Sequence, residues 1–395
     1  MRKSLQCVTR NLLLMYAIRV CTVSAALIVP NLVLYVQKYG VTQDKFFWLE
    51  TAFAAAFLAA QIPSGRFADR FGRKRSMQVG SLILPISQLF YLFGESFADF
   101  IVAEVLGAIG FAFLSGADEA IFYESLVFIK RKHLHSMLWG RAFLCGFIAM
   151  FLGNLVGGLI APINPSAPFI LATIGFCLLA FFTLFLEEPR RKRSVAPQPR
   201  IGINEVIRIC LIQRKDIQWL MLFPGVCLIG MQALLWVYQS YFLMNGVAHR
   251  WHGVLIASFN LVAGVASYLA FRVEKRLSQR LVVLLPVLLL SASMLILAAV
   301  HSLIFIPLLF LQHCVRGFLP SVFSGYLNHV LPAEYRATAL SIKSSCELFY
   351  YILILQVTRF AVLYGGLREA FVVNGLITLV VGGSLVIVRL TSKRS

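Results

Sequence analysis

Charge is scarce in this sequence: only 13% of its 395 residues are Asp, Glu, Lys or Arg, and acids number 17 against 36 Lys and Arg. A soluble globular domain carries about twice that share of charge, so a water-soluble enzyme of this size is excluded. The chain also lacks a P-loop, an H-E-x-x-H pair and a G-x-S-x-G elbow, which removes the usual basis for nucleotide-driven, metalloprotease or serine-hydrolase chemistry. Its seven histidines do not cluster as metal ligands, and its eight cysteines are scattered without ligand spacing. They read as reduced, structural thiols. The sequence gives no reason to expect an enzyme, a cofactor or a metal.

What fills the chain is apolar. Hydrophobic residues make up 59% and the mean hydropathy is +0.81. At about 20 apolar residues per spanning helix, the length accommodates about twelve spans. Apolar runs bounded by charges place them near 11–36, 46–65, 76–94, 98–118, 137–160, 167–186, 217–244, 252–271, 281–300, 303–327, 338–364 and 369–389. The expected fold is an all-α membrane protein with a six-helix bundle over 1–187 and another over 217–395. Between them, 188–216 forms a basic cytoplasmic linker with Pro189, Pro197 and Pro199, and its 203–212 portion has the spacing of a short amphipathic helix on the inner leaflet.

The net charge of +19 has a topological explanation. With the N-terminus in the cytoplasm, Lys38, Lys45, Arg250, Arg359 and Arg368 fall outside, Arg19 and Arg316 fall within spans, and every other cation falls inside. This is a strong positive-inside bias, and it leaves no separate basic footprint for nucleic acid. The N-terminal segment has the basic-then-apolar order of a secretory signal. Arg19 interrupts its core, however, and the apolar pattern continues through Ile28, Val29, Leu32, Val33 and Leu34, as an uncleaved first span requires.

The two halves are weakly similar. Asp69 after helix 2 corresponds to Glu274 after helix 8, each followed by cations: Arg70, Arg73, Lys74 and Arg75 against Lys275, Arg276 and Arg280. Aligning Ser115-Gly116 with Ser324-Gly325 pairs Glu104 with His313. A duplicated bundle is the architecture of secondary transporters with a site between repeats.

Residues 65–75 read Gly-Arg-Phe-Ala-Asp-Arg-Phe-Gly-Arg-Lys-Arg. This closely resembles the helix 2–3 signature G-x-L-A-D-R-x-G-R-[KR]-x of the major facilitator superfamily, with Phe67 where the family usually has Leu. Gly65 would let two helices approach, Gly72 permits a tight turn, Asp69 suits the positive end of another helix, and Arg70 and Arg73 hold the loop inside. The resemblance implies a cytoplasmic gate with helix 11, with Asp69 near 337–341 and Asp118 or Glu119 in its charge relay. Helix 5 carries Gly153-Asn154-Leu155-Val156-Gly157-Gly158, similar to the superfamily's G-P-x-x-G-G antiporter motif, with Asn154 in place of Pro. Close helix packing explains the same small residues equally well. Residues 115–120 and 331–338 look like stretches of bacterial members. The resemblance implies alternating access by a monomer in the bacterial inner membrane, with both termini cytoplasmic.

An ionisable residue inside a span is costly and calls for a cavity or a partner. Arg19, Glu50, Glu104, Arg316 and Glu347 are so placed. At about 1.5 Å per residue, Glu347 and His313 lie about 15 Å deep, near the midplane, with Arg316 one turn from His313. Glu347 is a proton carrier or the partner of Arg316; Glu104, Glu50 and His313 are further proton-coupling candidates. Arg19 and Arg316 are substrate-binding candidates, as are Gln232, Trp236, Tyr238, Gln239 and Tyr350, whose amphipathic rings suit a cavity wall or an interfacial belt. The expected function is proton-coupled efflux of a small organic molecule: a drug-like compound, a metabolite or a siderophore. The alternatives are proton-coupled uptake of an anionic metabolite and a receptor that no longer transports.

Overall fold

The computed structural model describes residues 2–131, 134–188, 203–300, 302, 304, 306–332 and 335–391, and among these the chain is helical without a strand. The elements are α1 (Arg2–Thr22), α2 (Leu32–Gln37), α3 (Gln43–Phe71), α4 (Arg73–Phe93), α5 (Phe97–Leu114), α6 (Ala117–Phe128), α7 (His135–Ile160), α8 (Ala167–Leu184), α9 (Ile203–Arg208), α10 (Lys215–Met244), α11 (His252–Glu274), α12 (Gln279–Ala299), α13 (Pro307–Val330), α14 (Arg336–Ile377) and α15 (Gly383–Thr391).

Among the described residues, ten stretches are long and apolar enough to cross a membrane. The last, Thr338–Thr391, runs for 54 residues, and Gly366 breaks it with φ 80° and ψ −166°. Asn374 donates to the Thr358 hydroxyl at 2.9 Å across that break, so the spans expected at 338–364 and 369–389 are two helices that turn back on each other at Gly366. The expected tenth span is the 24-residue α13, which carries His313, Arg316 and His329 and is not among the ten.

Two expected spans are interrupted. In the first, α1 gives way to a 3-10 turn, Val23–Leu27, and the helix resumes only at Leu32. Pro30 lacks the backbone donor an uninterrupted helix needs, and Ser24 turns its hydroxyl back onto the Cys21 carbonyl at 2.7 Å. In the fourth, α5 ends at Leu114, and Gly116 takes a left-handed conformation with φ 76° before α6 starts.

The chain divides into two compact units, Met1–Ser194 with Ala248–Ala257, and Val195–Val247 with Ser258–Ser395. In the first, α4 and α5 approach closely through glycines. A Cβ on Gly80 would lie 2.5 Å from the Gly110 carbonyl oxygen, and one on Gly110 would lie 2.8 Å from Leu84. Met77, Leu84, Ile121, Phe122, Phe176 and Leu179 fill the core. The small residues of α7 serve packing: a Cβ on Gly153 would meet the Ala26 Cβ at 3.2 Å, Gly157 lies against the Leu27 backbone, and Gly158 meets Gly253. Tight small-residue seams of this kind replace the hydrophobic effect as the adhesive between helices in lipid.

In the second unit α10 is the most enclosed span, with two thirds of its best window buried. Its Tyr238, Tyr241 and Phe242 are fully buried. The amphipathic segment expected at 203–212 forms α9 and a π-helical turn, Ile209–Gln213. Val206 and Cys210 are buried and α9 packs on α14, while Ile207 and Ile212 of the same segment are exposed. The linker's prolines and basic run, 189–200, lie outside the described residues.

Candidate functional site

The helix 2–3 motif lies where α3 hands over to α4. Gly72, with φ 100° and ψ 152°, is the single residue between them, a backbone state that favours glycine. A Cβ on it would lie 2.8 Å from Glu188 Oε2. That carboxylate arrives from beyond the end of α8 and accepts the Arg73 and Lys74 backbone N–H groups at 2.8 and 2.9 Å. It satisfies two of the donors that a helix start leaves open and adds negative charge to the helix's positive end. Lys74 Nζ donates to the Leu184 carbonyl at 3.1 Å, and Arg73 Nε lies 3.3 Å from Glu124 on α6. Asp69 is exposed, and Arg70 lies 5.2 Å over the Phe71 ring. A Cβ on Gly65 would meet nothing within 4 Å.

Alongside this turn, α1 is tied to the end of α8. Arg10 donates to Glu187 at 2.9 Å and to the Phe185 carbonyl at 3.0 Å. Asn11 donates to the Glu187 carbonyl at 2.8 Å, accepts the Glu187 N–H at 3.0 Å, and bonds Ser125 at 3.2 Å. More than two turns further along α1, Arg19 pairs with Asp118 at 2.9 Å and lies 4.1 Å over the Phe143 ring. On α6, then, Arg73 pairs with Glu124 and Arg19 with Asp118. Glu119 is exposed, and its N–H donates to Asp118 at 2.7 Å.

Higher in the same unit, Glu104 on α5 is 8% exposed and Glu50 on α3 is 6% exposed. The Tyr91 hydroxyl on α4 donates to Glu104, and Glu50 lies within electrostatic reach of the same phenol. Among the described residues Glu104 forms no ion pair. Two carboxyls and a phenol, held on three consecutive helices away from water, make up a group able to store a proton.

In the second unit the expected Glu347–Arg316 pair does not form. Glu347 pairs with Lys343 one turn earlier on α14 at 2.6 Å. Arg316 donates to His313 Nδ1 at 3.1 Å and to Asn260 on α11 at 2.9 Å. A guanidinium can only donate, so His313 accepts through Nδ1 and carries its proton on Nε2. That Nε2, in a fully buried side chain, has no partner among the described residues. The ring stacks on Phe259 with centroids 4.5 Å apart. Next to it, Gln312 accepts the Tyr238 hydroxyl at 2.6 Å, leaving its own Nε2 without a partner.

The polar residues of α10 do not share one environment. Gln232 is exposed, Trp236 half-buried, and Tyr238 and Gln239 buried. Trp236 Nε1 donates to Tyr351 at 3.0 Å, so Tyr351 rather than the half-buried Tyr350 joins α10 to α14. Sequence reasoning did not single out Tyr91, Glu124, Glu188, Asn260, Gln312 or Lys343. Only Lys343 had a local signal, its spacing of four residues before Glu347 on a helix.

The family model of the Major Facilitator Superfamily matches residues 12–249. Among characterised proteins the chain is similar to multidrug resistance protein 2 of Bacillus subtilis (strain 168), 27% identical over 175 residues, 44% of this chain and 43% of that protein. It is also similar to multidrug resistance protein 1 of the same organism, 30% identical over 146 residues and 36% of each chain. The quinolone resistance protein NorA of Staphylococcus aureus (strain MRSA252) is 24% identical over 185 residues, 45% of this chain and 46% of NorA. The chain thus spans less than half the length of these relatives. Among solved structures, a mutant of the nucleoside transporter NupG superposes with a TM-score of 0.80 at 13% identity, covering 95% of this chain and 98% of that one. A bacterial homologue of the human lysosomal transporter Spinster, inward-facing and unoccupied, gives 0.78 at 14% identity over 97% and 96%. A D-xylose–proton symporter gives 0.73 at 13% identity over 96% of each. At such identities the likeness is one of fold.

Proposed function

The chain belongs to the Major Facilitator Superfamily, and we propose that it is a secondary transporter exporting a small organic molecule from the cytoplasm in exchange for protons. It would work as a monomer by alternating access, with the 65–75 turn as its cytoplasmic gate and both termini on the cytoplasmic side of the inner (plasma) membrane. Three relatives named for multidrug or quinolone resistance support a drug-like substrate and outward direction.

The observation that carries the proton part is Glu104 bonded to Tyr91 in the interior of the first unit. A carboxyl held by a phenol exchanges its proton without breaking an ion pair. Glu347 would have to leave Lys343 to do the same, so Glu104 is the assigned carrier, with Glu50 beside it. The buried Nε2 donors of His313 and Gln312 are assigned to the substrate, because an unsatisfied buried donor costs about 1–3 kcal/mol and a polar ligand group relieves it. Uptake of an anionic metabolite draws no support from the two arginines, since Arg19 is held by Asp118 and Arg316 by His313 and Asn260.

The test is reconstitution in oriented liposomes under an imposed ΔpH, recording lumenal pH while lipophilic drug-like cations, siderophores and organic anions are added. A compound-dependent proton flux opposite to the movement of the compound is expected, and it should fall to the level of protein-free vesicles in Glu104→Gln. Unchanged flux in that variant, at matched protein content, would refute the assignment.

A further inference from the structure

In the second unit α11 is seated on α13. Asn260 accepts the Arg316 guanidinium at 2.9 Å, Ser267 and Ser321 share a hydrogen bond at 2.7 Å, and Gly317 passes so close to Ala263 that a Cβ there would strike its carbonyl. Positions 260, 263 and 267 form one face of α11 at helical spacing. The neighbouring face, with Leu261, Val265 and Leu269, borders a groove of about 510 Å³. Along this groove α11 contributes Leu261 to Val273, α12 Leu281 to Leu289, and α13 Leu311 to Phe318. All fifteen lining residues are apolar. Leu261 and Val265 are 57% and 50% exposed, so the groove is open along this edge, and a wholly apolar wall at membrane depth opens to lipid rather than to an aqueous path.

Its dimensions select the occupant. Leu261 and Val273 lie twelve residues apart on α11, about 18 Å along the axis, which compares with about 15 Å for one leaflet of hydrocarbon. Spread over that length, the groove is a channel about 6 Å across, too narrow for a helix of about 10 Å diameter and wide enough for one alkyl chain. Its lower end reaches Leu277 in the turn between α11 and α12, which the distribution of cations along the sequence places at the cytoplasmic face. Residues 272–280 there carry Arg272, Lys275, Arg276 and Arg280, all exposed, against one acid, Glu274, which accepts the Tyr326 hydroxyl at 2.7 Å. An apolar slot one chain wide, ending in a cationic collar, is complementary to a lipid with a negative headgroup.

We propose that the groove between α11 and α12 binds one acyl chain of an anionic phospholipid of the inner leaflet, whose phosphate lies against the cations of the α11–α12 turn. The chain fills space that the α11–α13 contact leaves unpacked, where a void would forfeit dispersion contacts. It is therefore held longer than the lipid around the rest of the surface. The inference does not depend on the substrate or direction of transport, and its test does not measure transport.

The full chain is reconstituted in phosphatidylcholine nanodiscs containing phosphatidylglycerol with a photoreactive group midway along one acyl chain, and adducts are mapped by peptide mass spectrometry. Adducts should be several times denser on 261–289 and 311–318 than on the exposed face of α8, where Ile170, Ile174, Leu178 and Phe181 meet ordinary boundary lipid. Val265→Trp, which fills the groove with an indole, should bring labelling there down to the α8 level; Leu261→Trp serves if that variant does not fold. Unlabelled phosphatidylglycerol should compete about tenfold better than phosphatidylcholine, given the contribution of each basic residue near an anionic headgroup. That preference should vanish in Arg272→Gln/Arg276→Gln. Labelling no denser in the groove than on α8, or dense labelling that the tryptophan variant leaves unchanged, overturns the proposal. Equal competition by the two lipids in wild type overturns the assignment of an anionic headgroup. Groove residues shielded from both lipids, in a protein that runs as a dimer, would give the groove to a second copy and overturn the proposal as well.

Discussion

Arg19 in α1 and Asp118 in the first turn of α6 meet at 2.9 Å, although 98 residues of chain and four helices lie between them. The pair exists because Gly116 ends the preceding helix in a left-handed turn and α6 starts afresh, placing Asp118 at a new positive helix end. Phe143 of α7, 4.1 Å from the guanidinium, completes the clasp. One cation therefore joins three helices of the first unit.

Removing either partner should loosen that unit. Arg19→Leu or Asp118→Leu alone is expected to cost about 2 kcal/mol, in the range for hydrogen bonds to charged groups. The double variant should recover part of the loss, because no lone charge remains in the bundle. Melting temperatures of the purified variants in detergent check this; equal losses in all three would show that the pair contributes nothing specific.

The carboxylates should separate by role. Glu104→Gln is expected to abolish ΔpH-driven movement of substrate while leaving substrate exchange at equal pH, since exchange needs no proton. Glu50→Gln should weaken the ΔpH dependence without removing it, and Glu347→Gln should leave it in place, its carboxylate being occupied by Lys343. Counterflow and ΔpH-driven uptake into the same vesicles distinguish these outcomes.

Two glycines of the first unit should respond in opposite ways. Gly80→Ala would set a methyl 2.5 Å from the Gly110 carbonyl oxygen and force α4 from α5, at a cost of about 1–3 kcal/mol for overpacking. Gly65→Ala meets open space and replaces a helical glycine, so it should hold or raise stability by up to about 1 kcal/mol. Thermal unfolding of the two variants side by side is the measurement.

Glu188→Ala should destabilise the start of α4 by about 1 kcal/mol, the usual worth of a helix cap. Hydrogen exchange at the Arg73 and Lys74 amides is the direct readout, and faster exchange confined to that turn is expected. Exchange unchanged there would mean that water replaces the carboxylate without loss.

The apolar runs that mark the spans survive averaging over twenty residues, so the positions of the helices were legible from hydropathy. The breaks were not. Ile28, Val29, Leu32 and Val33 carry the apolar pattern straight through the turn after α1, because hydropathy does not register that Pro30 lacks a donor or that Gly116 has a positive φ. Contacts at helical spacing are readable in the same way: His313 and Arg316 lie one turn apart, and so do Lys343 and Glu347. Tyr91 with Glu104 spans a turn between two helices, and Glu188 crosses more than a hundred residues to reach α4. Nothing local in the sequence encodes either contact.

Glu188 closes the start of α4 from four residues beyond the end of α8. The end of α8 and the helix 2–3 turn are therefore one mechanical piece, anchored at Gly72 and Glu188. A displacement of the chain just past α8 would be felt at that turn, and removing the Glu188 carboxylate would cut the two loose from one another.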